Sequence, residues 1–541
     1  MSAREPTIAI VGAGASGVLA ALHLLDSPGP PVHLLLVERS GKTGRGVAFS
    51  TDRPSHLLNV PAASMSAFER DPGHLVRWLG GNGFPNAEDA FVPRGLFGQY
   101  LGESLLSRAH LREGNDVVEI TRDQVVDIEV GVDVDVDAAA GPTLVFARRQ
   151  PAKVDAVVLA TGNLPTRWPR DLENWQDNER CISDPWRTGV LDQIGLTSTV
   201  TLLGTGLTAV DVLLALAEKG HHGSIRAISR HGLLPRAHLS GPQPTAIIET
   251  TRLEQGDRRT RLLLRQLRDA VAEEEALGGD WRAVIDMLRP ETQGLWQSLP
   301  PSEQLRFRRH GERFWNVHRH RMAPAVAEQL HQLRDSGVFR SLAGRVVAIE
   351  PSPDALQLEV RLPSIERRYR WGTDWLVNCT GPSTFAFSDD QVLAQSLRRR
   401  GLARPGHLDA GIDTDAGGRV LTVSGQPIEW MWALGSLRQG QLLETTAVPE
   451  IRSQALHVAS AVRQWLAGKA SGPASIVDNY EACEAGSSSD LRPEPAGKTT
   501  RGVHVIERIP HPAHGGARTF HLIPSYSMEG AAQSPVVAIA G

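Results

Sequence analysis

Cysteine is scarce in this chain. Three occur in 541 residues, Cys181, Cys379 and Cys483, and no two form a CxxC pair. Their spacing argues against a disulfide framework, a cysteine-based zinc site or a redox dithiol, and it fits a reducing cytoplasm. An excess of charge is missing as well. The 57 Lys and Arg against 61 Asp and Glu leave a net charge of −4. Neither nucleic acid nor a membrane surface is therefore expected as a partner. Met1 to Pro6 lead straight into an apolar run with no basic stretch before it. No secretion signal is expected, and the expected location is cytoplasmic. Thr7 to Leu25 is long enough to mimic a membrane span, but its glycines, Ser16 and His23 argue against one. No catalytic triad or carboxylate pair is evident. His318 and His320 have no acidic or cysteine partner at ligand spacing, so no metal is expected.

Two glycine-rich loops are present instead. The first is Gly12-Ala13-Gly14-Ala15-Ser16-Gly17, directly after the β-branched run Thr7 to Val11. That run reads as a buried parallel strand. Gly12 permits the tight turn, Gly14 lets the backbone approach a pyrophosphate, and Gly17 lets the next helix pack on the strand. Val18 to Leu25 continues as that helix, whose N-terminus offers free N–H groups to phosphates. A second strand, Val32 to Val37, ends in Glu38. A carboxylate there can accept two ribose hydroxyls and would repel a 2′-phosphate.

The second loop is Gly204-Thr205-Gly206-Leu207-Thr208-Ala209, after a strand reading Ser198 to Leu203. Val210 to Leu216 continues as a helix that includes Asp211. The next strand, Ser224 to Arg230, ends in Ser229-Arg230 where the first unit ends in Glu. A hydroxyl and a guanidinium suit a 2′-phosphate, which favours NADPH over NADH. The alternative for Arg230 is a solvated charge at a strand end.

At 541 residues and 41% hydrophobic content the chain can form two or three domains with real cores. Val154 to Leu159 is a strand leading into Ala160-Thr161-Gly162, and Asp374 to Cys379 leads into Thr380-Gly381. With Trp432-Ala433-Leu434-Gly435-Ser436, these landmarks resemble flavoproteins with two dinucleotide sites. Most of those carry Gly-Asp where this chain has Gly435-Ser436. Thr446 reads as the N-cap of a helix running to about Trp465, with Ala447 and Pro449 in its first turn. Either that helix end faces the flavin or it is an ordinary capped surface helix.

A closer resemblance rests on Gly44-Arg45-Gly46-Val47-Ala48-Phe49-Ser50, His56-Leu57-Leu58-Asn59-Val60-Pro61-Ala62, Met65-Ser66, Pro93 to Tyr100, Asp184-Pro185-Trp186 and Ser229 to Arg236. From about residue 5 to 466 the chain resembles the bacterial FAD/NAD(P)-binding flavoprotein family that contains the FAD-dependent urate hydroxylase and the nitrosuccinate-forming aspartate N-hydroxylases. The implied fold is α/β, with two Rossmann-like dinucleotide-binding domains. A discontinuous FAD domain spans 1–170 and 370–468. An inserted NAD(P) domain spans 171–369 and carries a helical insertion at about 240–336. The implied cofactors are FAD and NADPH or NADH. Their expected contacts are Gly12, Gly14, Ser16, Gly17, Glu38, Arg39, Gly46, Thr161, Gly162, Gly381, Gly435, Ser436, Thr446 and Ala447 for FAD. Gly204, Gly206, Leu207, Thr208, Ser229 and Arg230 are expected to hold the nicotinamide nucleotide.

Arg258 to Ala276 and Met322 to Leu333 have helical spacing. Between them lies a segment dense in Trp, His and Arg. His318, Arg319 and Arg321 are candidates for binding an anionic or purine-like substrate. The alternative is a helical surface with its Trp inside and its charges in water. Residues 469–541 are rich in Gly, Ser, Pro and Ala and read as a loosely ordered tail. Asp133, Asp135 and Asp137 read as solvated acids of an edge hairpin.

The chemistry implied is transfer of hydride from the nicotinamide to FAD, reaction with dioxygen to a C4a-hydroperoxide, and oxygen transfer to a small-molecule substrate. Asn59, Met65 and Arg94 are candidates for the substrate side. Asn59 either bonds the flavin region or forms a turn. Met65 either lines the site or fills the core. Arg94 would pair with a carboxylate or urate anion. Three functions remain open. They are a monooxygenase acting on a small polar nitrogen compound such as urate, an N-hydroxylase of an amino acid such as aspartate, and a reductase or nucleotide-sensing module serving a protein partner.

Overall fold

The computed structural model describes residues 4–111, 117–131, 141–248, 259–363, 368–470 and 505–508. The three acids at Asp133, Asp135 and Asp137 lie outside these, as does most of the expected tail.

Two sheets organise the chain. The first has seven strands in the order Arg419–Leu421, Pro427–Ala433, Ala156–Leu159, Thr7–Val11, His33–Val37, Val117–Thr121, Val505–Arg508. Every pairing in it is parallel except the hairpin Arg419–Leu421 with Pro427–Ala433. Its central strand is fully buried. Ile8 and Ile10 face one core, and Ala9 and Val11 face another on the opposite side. This two-sided burial is why the strand reads as a continuous apolar run. Burying each such isoleucine is worth about 1.5–3 kcal/mol. Helices Ala15–Asp26, Arg94–Leu111 and Val448–Ala470 cover the Ile8 face.

The second sheet has five parallel strands in the order Phe339–Ala343, Ile225–Ser229, Val200–Leu203, Trp375–Asn378, Cys181–Ile182. Its core is closed by helices Leu207–Glu218 and Pro324–Asp335. Five helices between Thr260 and Arg319, the first of 17 residues and the others of 7 to 10, form the expected helical insertion. Two three-stranded antiparallel sheets complete the fold.

The α/β class with two Rossmann-type units is therefore present, the first interrupted by the second. Two expectations are corrected. The boundary at 370 is too early, because Trp375–Asn378 pairs with Val200–Leu203 and so belongs to the second sheet. Within the expected tail, Val505–Arg508 forms a parallel edge strand on Val117–Thr121. Among the described residues no helix is long and apolar enough to cross a membrane.

Candidate functional site

The first glycine loop is shaped by close approach. Gly12 has φ of +101°, and a Cβ on it would strike the Ala160 carbonyl at the end of the neighbouring strand. A Cβ on Gly17 would strike the Gly12 carbonyl. These two contacts set the start of helix Ala15–Asp26 directly on the end of strand Thr7–Val11. Gly14 is the N-cap and has no side chain to cap the helix, and the first turn carries no acid. The N–H groups and positive dipole end are left for an anion. Gly46 faces the loop from across, its Cα 3.3 Å from where a Gly14 Cβ would stand. Glu38 follows strand His33–Val37. Its carboxylate accepts from Ala13 N at 3.0 Å and Ser40 N at 2.9 Å, which pins it at the rim of the loop. Arg39 and Thr161 are exposed beside it in sequence and at the Ala156–Leu159 strand end, and Gly162 turns the chain with φ of +74°.

The far end of the chain completes this site. Gly435 has φ of +71°, and a Cβ on it would lie 3.0 Å from Ser16 Oγ. Gly435 N donates to Gln454 Oε1 at 3.0 Å. Ser436 Oγ and Gln454 Nε2 are buried without a partner among the described residues. Buried polar atoms of this kind are normally satisfied, so they suit a polar ligand beside the loop. An uncapped helix end, a glycine cradle, a rim carboxylate and orphaned polar atoms together fit a dinucleotide such as FAD. Thr446 is not the N-cap. The last helix begins at Val448, and the Ala447 carbonyl accepts from Ile451 N at 3.0 Å. The sequence placed the cap one residue early because threonine is the better capping type.

The second loop repeats the first. Gly204 has φ of +119°, and a Cβ on it would strike the Cys379 carbonyl. Gly206 is an N-cap with no side-chain cap and open space around it, and Leu207 and Thr208 form the first helical turn. Gly381 turns the adjoining strand end with φ of +88°. Arg230 is exposed at the end of strand Ile225–Ser229. Ser229 differs from expectation. Its hydroxyl is 2.8 Å from Thr205 Oγ1 and accepts from Gly232 N at 3.0 Å, so it already serves the loop.

The two loops are held by a buried contact between domains. Arg94 donates to both carboxylate oxygens of Asp211, at 2.9 and 2.7 Å, and its Nε donates to the Leu57 carbonyl at 2.8 Å. Arg94 opens helix Arg94–Leu111 of the first unit, and Asp211 lies in helix Leu207–Glu218 of the second. His56 Nε2 is 3.0 Å from the Asp211 carbonyl. Burial holds the His56 imidazole below its ordinary pKa, so Nε2 is a neutral donor to that carbonyl. The expected role of Arg94 in pairing with a substrate anion is thereby corrected, since its fork is occupied. The partner was invisible in the sequence because Asp211 stands 117 residues away.

Met65 is 3% exposed and packs in the first core, not on an open site. Asn59 is half-buried. Its carbonyl lies 2.8 Å from His238 Nε2, and its side-chain amide has no partner among the described residues. Sequence reasoning missed His238, which is buried and also pairs with Gln243 at 2.9 Å.

The insertion docks on the first unit through charge. Arg319 Nε donates to Glu444 Oε2 at 3.1 Å, and Arg319 pairs with Glu450 at 3.4 Å. Arg289 forks onto Glu450 at 2.6 and 2.9 Å, and Trp315 Nε1 donates to Glu444 at 3.1 Å. Burial raises the Glu444 pKa. Glu450 is also buried, but Arg289 and Arg319 outweigh this and hold it low. Arg319 is thus a structural anchor, a correction to its expected role toward substrate. His318 Nδ1 faces the Phe314 carbonyl, and its ring meets Trp281 edge-on at 5.0 Å. Arg321 is 1% exposed and pairs with Asp286, and its Nε and Nη1 find no acceptor among the described residues.

Comparison with known proteins agrees with this geometry. A family model described as FAD-NAD(P)-binding matches residues 9–164. No curated protein matches the sequence. Among solved structures, L-lysine 6-monooxygenase from Pseudomonas syringae superposes with a TM-score of 0.59 at 15% identity, covering 86% of this chain and 100% of that one. Ornithine N-hydroxylase from Kutzneria sp. 744 gives 0.56 at 15%, covering 85% and 99%. The cadaverine monooxygenase of desferrioxamine biosynthesis from Erwinia amylovora gives 0.56 at 14%, covering 90% and 100%. At these identities the likeness is one of fold. The chain carries an FAD/NAD(P)-binding unit of Rossmann type within that fold.

Proposed function

We propose that this protein is an FAD-dependent NAD(P)H monooxygenase that hydroxylates a small polar nitrogen compound. The observation that carries the reading is the pair of uncapped glycine loops linked through Arg94 and Asp211, with no pair of thiols beside them among the described residues to take electrons. Cys181 and Cys379 lie on strands of the second sheet or their ends, and burial pushes the Cys181 thiol up to about 12. A buried thiol with so high a pKa is a poor exchange partner. The matched fold, shared with enzymes whose names describe oxidation of ornithine, lysine and cadaverine, also supports a nitrogen-centred substrate. Urate and an amino acid such as aspartate are the two candidates.

Bound FAD supplies the redox chemistry, passing two electrons from the nicotinamide to dioxygen so that one oxygen atom enters the substrate and the other leaves as water. The protein's residues hold and orient. Gly12, Gly14 and Gly17 with the helix end take the pyrophosphate, and Glu38 takes the adenosine ribose. Ser436 and Gln454 meet polar groups further along the cofactor. Gly204 to Thr208 take the nicotinamide nucleotide, with Arg230 toward its 2′-phosphate. His238 holds the Asn59 carbonyl, and the Asn59 amide would be available to the reacting groups. The insertion, anchored by Arg319 and Arg289, excludes water from that side.

The test uses purified, FAD-loaded protein with NADPH and dioxygen. Urate, aspartate and a panel of amines are added, while NADPH loss, oxygen uptake and hydrogen peroxide are followed. The expected result is faster NADPH oxidation with one of these compounds, less peroxide and a product heavier by one oxygen atom. Protein that does not retain FAD rejects the reading. Rapid reduction of artificial acceptors, unaffected by every small molecule, would favour a reductase that serves a protein partner.

A further inference from the structure

The helical insertion contains a space that the redox reading does not use. Helices Thr260–Ala276, Thr292–Ser298 and Pro301–His310 leave between them a cavity of about 90 Å³ that opens to solvent. Leu263, Leu267, Leu295, Phe307 and Trp315 form its walls, and Leu443 of the first unit closes one side. No charged side chain lines it. The two lining hydroxyls are already spent, since Thr260 Oγ1 donates to the Glu303 carbonyl and Thr292 Oγ1 to the Leu288 carbonyl, each at 2.9 Å.

One polar group remains. Trp296 lines the cavity and is 2% exposed, and its indole N–H has no acceptor among the described residues. A resident water needs two to four polar partners, and these side chains offer one. An apolar wall of this kind stays dry and takes apolar ligands. A carboxylate or ammonium group would lose its hydration and find no counter-charge. We propose that this cavity binds a neutral, hydrocarbon-rich small molecule bearing one hydrogen-bond acceptor, such as a medium-chain ketone, with that acceptor on Trp296 Nε1. The proposal goes beyond the redox function and does not depend on it.

The experiment titrates the full-length, FAD-loaded protein with the neutral fluorescent probe N-phenyl-1-naphthylamine. The probe is then displaced with 2-octanone or with 2-methyl-1-octene, which has the same shape but no acceptor. One saturable site is expected on the wild type, displaced by both. Trp296→Phe keeps an aromatic, though smaller, side chain and removes the donor, so the ketone-to-alkene affinity ratio should fall about fivefold, the worth of one net hydrogen bond. Leu295→Trp fills the space and should abolish probe binding, with FAD content and circular dichroism unchanged. If that variant fails to fold, Trp296→Phe decides. Absence of a saturable site, or a ratio unchanged in Trp296→Phe, overturns the proposal.

Discussion

Replacing Asp211 by Asn tests the contact on which the relation of the two loops depends. In the native chain the Arg94 and Asp211 side chains are 10% and 5% exposed, and the carboxylate receives both ends of the guanidinium fork. Asparagine keeps the shape and one acceptor but removes the charge. Breaking a buried pair on one side typically costs 3–5 kcal/mol, and the retained amide oxygen places this case near about 3 kcal/mol. For domains of this size that is a fall in Tm of about 6–12 °C, read by far-UV circular dichroism. Anaerobic reduction of bound FAD by NADPH should slow by at least about tenfold, because misplacement of reacting groups is costly even when both remain bound. The double variant Arg94→Met with Asp211→Leu should regain most of the lost stability, as apolar replacement of a buried pair often does. A Tm for Asp211→Asn within about 2 °C of wild type would refute the reasoning. So would an Arg94→Met protein of native stability with a raised KM for an anionic substrate, since that result restores Arg94 to substrate binding.

Two further outcomes follow from other residues. Arg230 stands exposed at its strand end, so Arg230→Ala should weaken NADPH binding by tenfold or so while leaving NADH nearly unchanged. Equal weakening in fluorescence titrations would remove the preference for the 2′-phosphate. His23 is 4% exposed on helix Ala15–Asp26, and burial lowers its pKa to about 4. Between pH 6.5 and 4 the unfolded chain therefore binds a proton that the folded chain refuses, so stability falls as pH drops through that window, by up to about 3 kcal/mol. His23→Leu should flatten this part of the acid limb in urea melts, and an unchanged slope would show that His23 does not carry it.

Both glycine loops were legible in the sequence because their cause is local. A β-branched run and two or three spaced glycines define each turn within about thirty residues, with a terminal acid in the first unit only, and the strand ends and Glu38 fell where that pattern put them. The sites made by distant residues were not legible. Arg94 and Arg319 were visible as cations, but their partners lie 117 and 125 residues away, so an occupied fork looked like a free one. The strand Trp375–Asn378 was assigned to the wrong unit because its Thr-Gly ending matches that of Ala156–Leu159, and only pairing reveals which sheet it joins. His238 carried no motif. Its importance comes from the Asn59 carbonyl it reaches across 179 positions.

Gly435 resting on Ser16 has a consequence for biosynthesis. The front half of the cradle leaves the ribosome long before the piece that closes it. At about 5–20 residues per second, some 20–90 s separate the emergence of the first loop from that of the last helix. During that interval the nascent chain exposes a helix end and an apolar strand that have no lid. Closure of the cradle therefore waits until the chain beyond Gln454 has been made, and a product truncated before Gly435 would keep the first loop without the glycine that rests on Ser16.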